Sequence, residues 1–398
     1  MKIVMVSSFP AFPTTAGNRS RIRQLALALQ RLGHDVTFVV LGSPHEACDD
    51  AAHVAAFGAG HFHRIDKRHA LRKWVRGAIP GAAKRVLRRI GVECAYYSPL
   101  DRFRDADFLR ALGQLRLAPD VVLVEYVLDS WVFDAFPRSA RRVLDTHDAF
   151  ANRHRDYVAR GIADYWVSLR PQAENAGFRR ADVVLAIQDE EAQRFREQLA
   201  ADACARAADP HVAVVGHLLE VGELVEEGED GKAVFLASDN AANRDALQWL
   251  LADILPRVVR ELPSFTLELG GSICRVAPDL PHVRKLGWLD DPQAALRRAA
   301  LALNPMRVGT GINIKLLDAM AAGVPSVATA TGARGIPDTM RAGLSVVDDG
   351  DGDGFAAAVL RFARDPVQRR AAGNAAREMA ARWNAAHVAT LQGCLRAG

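Results

Sequence analysis

The sequence has 398 residues, of which 49% are hydrophobic, so the chain is long enough to bury two cores. Its 51 basic and 47 acidic residues leave a formal net charge of +4, which gives no overall attraction to nucleic acid. No run of about 18 apolar residues occurs, which argues against a membrane-spanning helix.

The start of the chain and its five scattered cysteines favour a reducing compartment. Residues 2–6, KIVMV, form a strand-like run without the basic region and apolar core of a signal peptide. The cysteines lack the spacing of metal ligands. We therefore expect a cytoplasmic protein.

Strand-like runs alternate with helical patterns through the first half of the chain. Run 2–6 leads through a loop containing Gly17 into a helix that Gly33 ends, and 36–40, VTFVV, follows. Further strands are predicted at 121–124, from Arg142 onward and at 183–187. This alternation predicts a doubly wound parallel sheet.

The alternation restarts after about residue 210. Strands are predicted at 233–237, 265–269, 300–304, 325–329 and 344–347, with a long helix over about 243–261. We therefore predict an α/β chain of two Rossmann-like domains, 1–210 and 211–376, with the helix at 377–398 packing back on the first. In such a chain the carboxyl ends of the strands can face each other across a ligand-binding cleft.

The stretch NPMRVGTGINIKLLDAMAAGVPSVAT, 304–329, predicts an anion site. A glycine-containing turn leads from a buried strand into a helix over 312–322, whose free N–H groups attract phosphate. Lys315 lies in the first turn and points back toward the helix start. Asp318 shares its face and could accept hydrogen bonds from ribose hydroxyls. The alternative is a solvated Lys–Asp pair.

The segment PMRVGTGINIKLLDAMAAGVPSVATATGARGI resembles the donor-binding signature of the retaining glycosyltransferases of family 4, which have the GT-B fold. The resemblance implies that Asp318 holds the ribose and that Lys315 occupies the lysine position of some subgroups. Thr310 stands where the family often has glutamate. The other donor-binding residues implied in this segment are Arg307, Gly309, Gly311, Ile312 and Asn313.

Two further segments carry the same resemblance. VFLASDNAANRDALQWLLADILPRV is similar to the start of the family's second domain, which implies Asn243 and Arg244 near the donor, although Asp239 departs from the usual small residue. SSFPAFPTTAGNRSR is similar to the opening loop, where Gly17 allows backbone approach to the diphosphate. Gly17 alone does not make a G-x-G-x-x-G fingerprint, which argues against an NAD enzyme.

The segment RVLDTHDAFANR ends a strand in His147, and the resemblance implies that this histidine lies close to the transferred sugar. Asp145 and Asp148 flank it; either could orient the ring or could be a turn residue.

The implied activity is transfer of a sugar from a nucleotide-diphosphate donor to a hydroxyl of a glycan or lipid-linked acceptor, with retention. His147, Lys315 and Arg244 are the expected catalytic residues. Gly17, Arg307 or Arg244, Lys315 and the helix dipole would neutralise the leaving diphosphate, so no metal and no cofactor are expected. The alternatives are another GT-B enzyme, such as an epimerase or an inverting transferase, and a non-catalytic nucleotide-binding protein.

Residues 64–89, RIDKRHALRKWVRGAIPGAAKRVLRR, combine ten basic residues with one acid and with interleaved apolar side chains. This composition predicts either peripheral attachment to an anionic inner membrane face or a solvated helical pair that covers the first sheet. Nucleic-acid binding is not expected, because no groove-reading or base-stacking module accompanies the segment.

Overall fold

A computed structural model of the chain describes residues 1–14, 16–43, 46–66, 81–89, 91–159, 165–202, 209–222, 228–289, 291–308 and 312–396. The chain divides into two compact units. The first comprises Met1–Gly216 together with Val388–Gly398, and the second comprises His217–His387.

The first unit is built on a parallel sheet of seven strands. These are β1 (Lys2–Ser7), β2 (Asp35–Gly42), β3 (Phe62–Asp66), β4 (Val121–Glu125), β5 (Arg141–Asp145), β6 (Val183–Ala186) and β7 (His211–Val214). Their order is β3-β2-β1-β4-β5-β6-β7, so the chain runs outward in both directions from β1 and β4. All five side chains of β4 are buried, as expected for a sheet that is covered on both faces.

Among the described residues of the first unit, seven α-helices precede the second unit along the chain. They are α1 (Gly17–Arg31), α2 (Asp50–Phe57), α3 (Gly81–Arg89), α4 (Ala106–Gln114), α5 (Arg153–Ala159), α6 (Pro171–Phe178) and α7 (Asp189–Ala200). Helix α1 ends as predicted at Gly33, which has a φ of +79° that a side chain would disfavour.

Two strands of this sheet, β3 and β7, were not predicted from the sequence. The first residues of the basic segment, Arg64–Asp66, are therefore part of a strand that pairs with β2, and the helical-pair prediction is wrong for them. Residues 67–80 of that segment lie outside the described residues. Strand β7 pairs with β6 just past residue 210, where the two domains were expected to meet.

The second unit is built on a parallel sheet of six strands in the order β10-β9-β8-β11-β12-β13. These are β8 (Glu229–Leu236), β9 (Thr266–Gly270), β10 (Val283–Gly287), β11 (Ala299–Asn304), β12 (Ser326–Thr329) and β13 (Leu344–Val347). All six residues of β11 are buried. This strand lies next to β8 at the centre of the sheet, where both faces are covered.

The helices that follow are α8 (Ala241–Trp249), α9 (Leu255–Glu261), α10 (Pro292–Arg298), α11 (Ile314–Ala321), α12 (Gly352–Arg364) and α13 (Pro366–Leu395). The helix predicted over 243–261 is instead divided, because wider turns at Leu250–Ile254 separate α8 from α9. Pro256 explains the interruption, since it lacks the N–H that would bond to the carbonyl of Ala252. None of the described helices has the length and apolar character needed to cross a membrane.

The last helix, α13, begins in the second unit, and its final residues are grouped with the first. Leu391 and Leu395 are buried there. The Nε of Arg141 at the start of β5 donates a hydrogen bond to the carbonyl oxygen of Cys394 at 2.6 Å. The chain end is thus joined to the sheet of the first unit.

Candidate active site

In the first unit, two buried carboxyl groups lie beside the predicted histidine. Glu125 and Asp145 are the last residues of β4 and β5 and stand opposite each other in the strand pairing. His147 follows two residues later with a left-handed φ of +59°. Its Nε2 forms a hydrogen bond with Glu125 and lies 3.3 Å from an oxygen of Asp145.

Arg21 on α1 neutralises the charge of Asp145. Its guanidinium donates to both carboxylate oxygens, at 2.7 and 2.5 Å, and to the carbonyl of Val215 at 2.8 Å. Burial raises the pKa of Asp145, but Arg21 and His147 outweigh it, so the net pKa lies below its ordinary value. Burial and the neighbouring Asp145 raise the pKa of Glu125 well above its ordinary value. Of the two carboxyl groups, Glu125 therefore holds a proton more readily, and Asp145 ionises first.

His147 is neutral near pH 7, because burial lowers its pKa to about 4. Its ring stacks on that of Tyr126, with centroids 4.1 Å apart and planes 9° from parallel. Within the described parts of the chain, no group pairs with its Nδ1. A neutral imidazole held by a stacked ring and a carboxyl is suited to a fixed hydrogen bond with a ligand.

Glu125, Asp145 and His147 offer ligand atoms within 4.8 Å of one another, a spacing that a metal ion could use. Arg21 already provides a positive charge at this point and occupies both oxygens of Asp145. The donor set therefore fits a hydrogen-bonded ion pair better than a metal site.

In the second unit, Lys315 lies in the first turn of α11, and its Nζ donates to Oδ1 of Asn243 at 3.0 Å. The amide of Asn243 in turn donates to the carbonyl of Ser238 at 2.7 Å. Burial lowers the pKa of Lys315 to about 8. The structure thus brings together two predicted donor residues that are separated by 72 positions in the sequence.

A chain of amide hydrogen bonds holds the start of α11. Asn313 donates to Asn304 at 2.9 Å, and Asn304 donates to the carbonyl of Gly332 at 2.9 Å. The side chain of Asn313 therefore does not cap the helix, and the first N–H groups of α11 have no side-chain cap. The predicted contact residues Gly309, Thr310 and Gly311 lie outside the described residues, and Ile312 packs against an apolar cluster beside α11.

Asp318 lies one turn further along α11 and is half-buried. Its carboxylate is 4.0 Å from the Nε2 of His217. Burial raises the pKa of Asp318 to about 7, and the nearby Glu220 adds to the increase. A carboxyl group with this pKa can accept or donate a hydrogen bond near neutral pH.

The two predicted arginines have carboxylate partners. Arg307 donates to both oxygens of Asp245, at 3.1 and 2.7 Å, and lies over the ring of Trp249. Arg244 donates to both oxygens of Asp239, and its side chain is 58% exposed. Each guanidinium would have to share its donors or change partner to bind a phosphate.

Gly17 is the first residue of α1 and is exposed. The preceding residue, Ala16, provides no side-chain cap. Among its first N–H groups, that of Arg19 donates to Oδ1 of Asn18 at 2.9 Å, so a ligand oxygen would meet those of Gly17 and Asn18.

Three residues of these sites were not predicted from the sequence: Glu125, Arg21 and Asp245. Glu125 had a sequence signal, because VVLVE ends a buried strand in a carboxyl group in the same way that RVLD ends in Asp145. The partnership of Arg21 with Asp145 joins positions 124 residues apart, which no local pattern indicates.

Comparison with known structures identifies the fold. HepE from Anabaena in complex with UDP-glucose is 12% identical with a TM-score of 0.62, and the similarity covers 99% of this chain and all of that chain. Sucrose-phosphate synthase from Thermosynechococcus elongatus is 16% identical with a TM-score of 0.61, over 99% of this chain and 98% of that chain. The two parallel-sheet units and these similarities define a GT-B fold.

Residues 230–365 match the family model described as Glycosyl transferases group 1. This range contains Asn243, Lys315 and Asp318, and it supports assignment of the chain as a glycosyltransferase. TarM from S. aureus, solved in complex with UDP, is 12% identical with a TM-score of 0.54; the similarity covers 73% of this chain but only 59% of TarM. The comparison with curated proteins gives no match.

Proposed function

We propose that this protein transfers a sugar, with retention, from a nucleotide-diphosphate donor to a hydroxyl of a glycan or lipid-linked acceptor. The observation that carries the proposal is the position of Lys315. Its ammonium group is fixed by Asn243 at the start of α11, beside N–H groups that have no side-chain cap. This arrangement lies within the range that matches glycosyl transferases.

On the donor side, the positive end of α11 and Lys315 would bind the diphosphate. Asp318, one turn further along α11, would accept hydrogen bonds from the ribose. The complexes of HepE with UDP-glucose and of TarM with UDP make a uridine donor the first to test. Arg307 and Arg244 would contribute if the diphosphate drew them from Asp245 and Asp239.

On the catalytic side, negative charge develops on the leaving phosphate as the bond to the sugar breaks. Lys315 and the dipole of α11 would stabilise that charge without a metal ion. His147 would hydrogen-bond to the transferred sugar as a neutral imidazole, held by Glu125 and Tyr126. Retention is tested by the anomeric configuration of the product, and an inverted product would replace this proposal with an inverting transferase.

The first experiment measures thermal unfolding with UDP and UDP-glucose. A ligand that binds only the folded protein stabilises it, by about 2.7 kcal/mol at 100 times its Kd. We expect Lys315→Met to abolish the stabilisation, because it removes the ammonium group and keeps the length of the side chain.

The matched control is Lys285→Met, which removes a lysine of the same unit that pairs with Asp279. This variant should bind the nucleotide as the wild type does, and His147→Ala should also bind the donor but turn over slowly. Normal donor binding by Lys315→Met would show that the site is assigned wrongly.

A further inference from the structure

An exposed tryptophan in the first unit lies close to His147. The rings of Trp166 and Tyr126 are nearly perpendicular, with centroids 5.6 Å apart and planes 87° apart. Tyr126 in turn stacks on His147 at 4.1 Å. The centroids of Trp166 and His147 are therefore less than 10 Å apart, about the length of two linked sugar rings. Trp166 is nevertheless 46% exposed.

The indole of Trp166 is held in place by other aromatic rings. Phe9 and Phe150 lie at steep angles to it, 74° and 71°, with centroid separations of 5.8 and 5.7 Å. Phe103 lies on another side at 6.3 Å and only 23° from parallel. A large ring that is both exposed and fixed in orientation loses little entropy when a ligand packs on it.

Three basic residues continue this surface, and we call them the cationic cluster: Lys84, Arg88 and Arg102. The guanidinium of Arg102 lies 5.5 Å from the ring centroid of Phe103, which itself packs against Trp166. Arg88 lies over the rings of Tyr96 and Tyr165, at 5.6 and 5.1 Å. Lys84 donates to the carbonyl of Tyr97 at 3.1 Å.

The positive charge of the cationic cluster is not neutralised by carboxylates. Within the described ranges, none of its three members forms an ion pair. The nearby acids already have partners, since Asp101 binds Arg180 and Glu93 binds Arg155. The pKa of Lys84 is lowered by burial and by the neighbouring positive charges of Arg88 and Arg102. Because the positive charges of the cationic cluster repel one another, an anion that binds among them lowers their electrostatic energy.

We infer that this surface is a subsite for the acceptor, at which a sugar ring packs on Trp166 and the cationic cluster binds a phosphate attached to that sugar. The inference rests on the proposed function, because it assumes that the acceptor hydroxyl reacts near His147. The apolar C–H face of a pyranose suits the face of an indole. Three positive charges suit the two negative charges of a phosphate monoester better than the single charge of a carboxylate.

The test measures binding of four probes by titration calorimetry and saturation-transfer NMR, with UDP present at a concentration that fills the donor site. The probes are glucose 1-phosphate, methyl α-glucoside, glucuronic acid and inorganic phosphate. We expect glucose 1-phosphate to bind at least ten-fold more tightly than each of the other three. Equal binding of inorganic phosphate would overturn the role of Trp166, and equal binding of glucuronic acid would overturn the choice of phosphate.

Trp166→Ala and Arg102→Gln should each weaken the binding of glucose 1-phosphate at least five-fold. The controls are Trp288→Ala, which removes an exposed tryptophan of the second unit, and Arg110→Gln, which removes an exposed arginine of α4. Both controls should bind like the wild type. Unchanged binding by Trp166→Ala would overturn the inference.

A second experiment tests whether the cationic cluster binds a membrane surface instead of an acceptor phosphate. Vesicles with and without an anionic lipid are sedimented with the wild type and with Arg102→Gln. The subsite would be overturned if the wild type bound anionic vesicles, Arg102→Gln abolished that binding, and glucose 1-phosphate did not bind. The surface would then be a membrane contact. Lys315→Met should still bind glucose 1-phosphate, so failure of the donor assignment and failure of the subsite give different results.

Discussion

At the scale of single residues, the state of His147 is set by the carboxyl group that faces it. Glu125 is fully buried, its pKa is raised well above the ordinary value, and it forms a hydrogen bond with Nε2 of a neutral ring. A carboxyl group that holds its proton would donate it to Nε2, and the proton of the ring itself would then lie on Nδ1. We therefore expect His147 to offer a hydrogen-bond donor to the sugar.

Replacement of Glu125 tests this assignment of protons. Glu125→Gln keeps a neutral group that can donate to Nε2, so its turnover should stay within a few-fold of the wild type. Glu125→Ala leaves Nε2 without a partner and should lower kcat by about 10- to 100-fold, the range typical of a lost orienting group. Donor binding, measured by thermal shift, should not change in either variant. A glutamine variant as slow as the alanine variant would contradict the assignment.

The pKa values of Lys315 and Asp318 predict a window of pH for donor binding. Lys315 is positively charged below about pH 8, so its attraction for phosphate is present below that pH and is lost as the pH rises through it. Asp318 is ionised above about pH 7, so its acceptance of ribose hydroxyls is lost as the pH falls through that value. UDP should therefore bind most tightly between about pH 7 and 8.

Calorimetric titration with UDP from pH 6 to 10 checks the window. Lys315→Arg keeps its charge throughout this range and should remove the loss of affinity on the alkaline side. Asp318→Asn should remove the dependence on the acidic side. A wild-type affinity that stays constant from pH 7.5 to 9.5 would contradict the role of Lys315.

At the scale of secondary-structure elements, the central strands could be predicted, whereas the two edge strands of the first sheet could not. Strands such as β4 and β11 are continuous apolar runs, because both of their faces are covered. The missed strands β3 and β7 lie at the two edges of the first sheet, where the runs are short and contain histidine or charged residues. A strand with an exposed side does not need a continuous apolar sequence.

The candidate site was predictable to a similar extent. The glycine turn and the helix that follows it place Lys315 from local geometry alone, and the structure has that helix at Ile314–Ala321. The partners of the charged side chains were not predictable, because they come from distant parts of the chain. Arg307, for example, pairs with Asp245, which lies 62 positions earlier.

Gly332 tests how the elements around α11 are held together. A Cβ atom at this position would lie 2.6 Å from the backbone oxygen of Asn304 and 3.0 Å from its amide nitrogen. Gly332→Ala should therefore push Asn304 away from Asn313, destabilise the second unit by about 1–3 kcal/mol, and weaken UDP binding.

The matched control is Gly113→Ala on α4, where nothing lies within 4 Å of the new Cβ atom. This change should stabilise the protein slightly, because alanine favours a helix. Urea unfolding measures both effects. A Gly332→Ala variant as stable as the wild type would contradict a rigid connection between β11 and α11.

At the scale of the whole molecule, the final residues of α13 make the first unit depend on the end of the chain. Leu391, Cys394 and Leu395 are buried, and the carbonyl of Cys394 accepts a hydrogen bond from Arg141. Deletion of residues 388–398 should destabilise the first unit by about 3 kcal/mol or more, because each fully buried leucine contributes about 1.5–3 kcal/mol.

The deletion should affect the two units differently, because Lys315, Asn243 and Asp318 all belong to residues 217–387. Thermal unfolding should show an earlier transition, and hydrogen exchange should assign it to the strands β1 to β7. UDP should still raise the temperature of the later transition. The control is Arg396→Ala, which changes an exposed side chain next to the buried ones and should leave both transitions in place. Equal loss of protection in both sheets would mean that the chain unfolds as a single cooperative unit, and the division at residue 388 would then carry no energetic meaning.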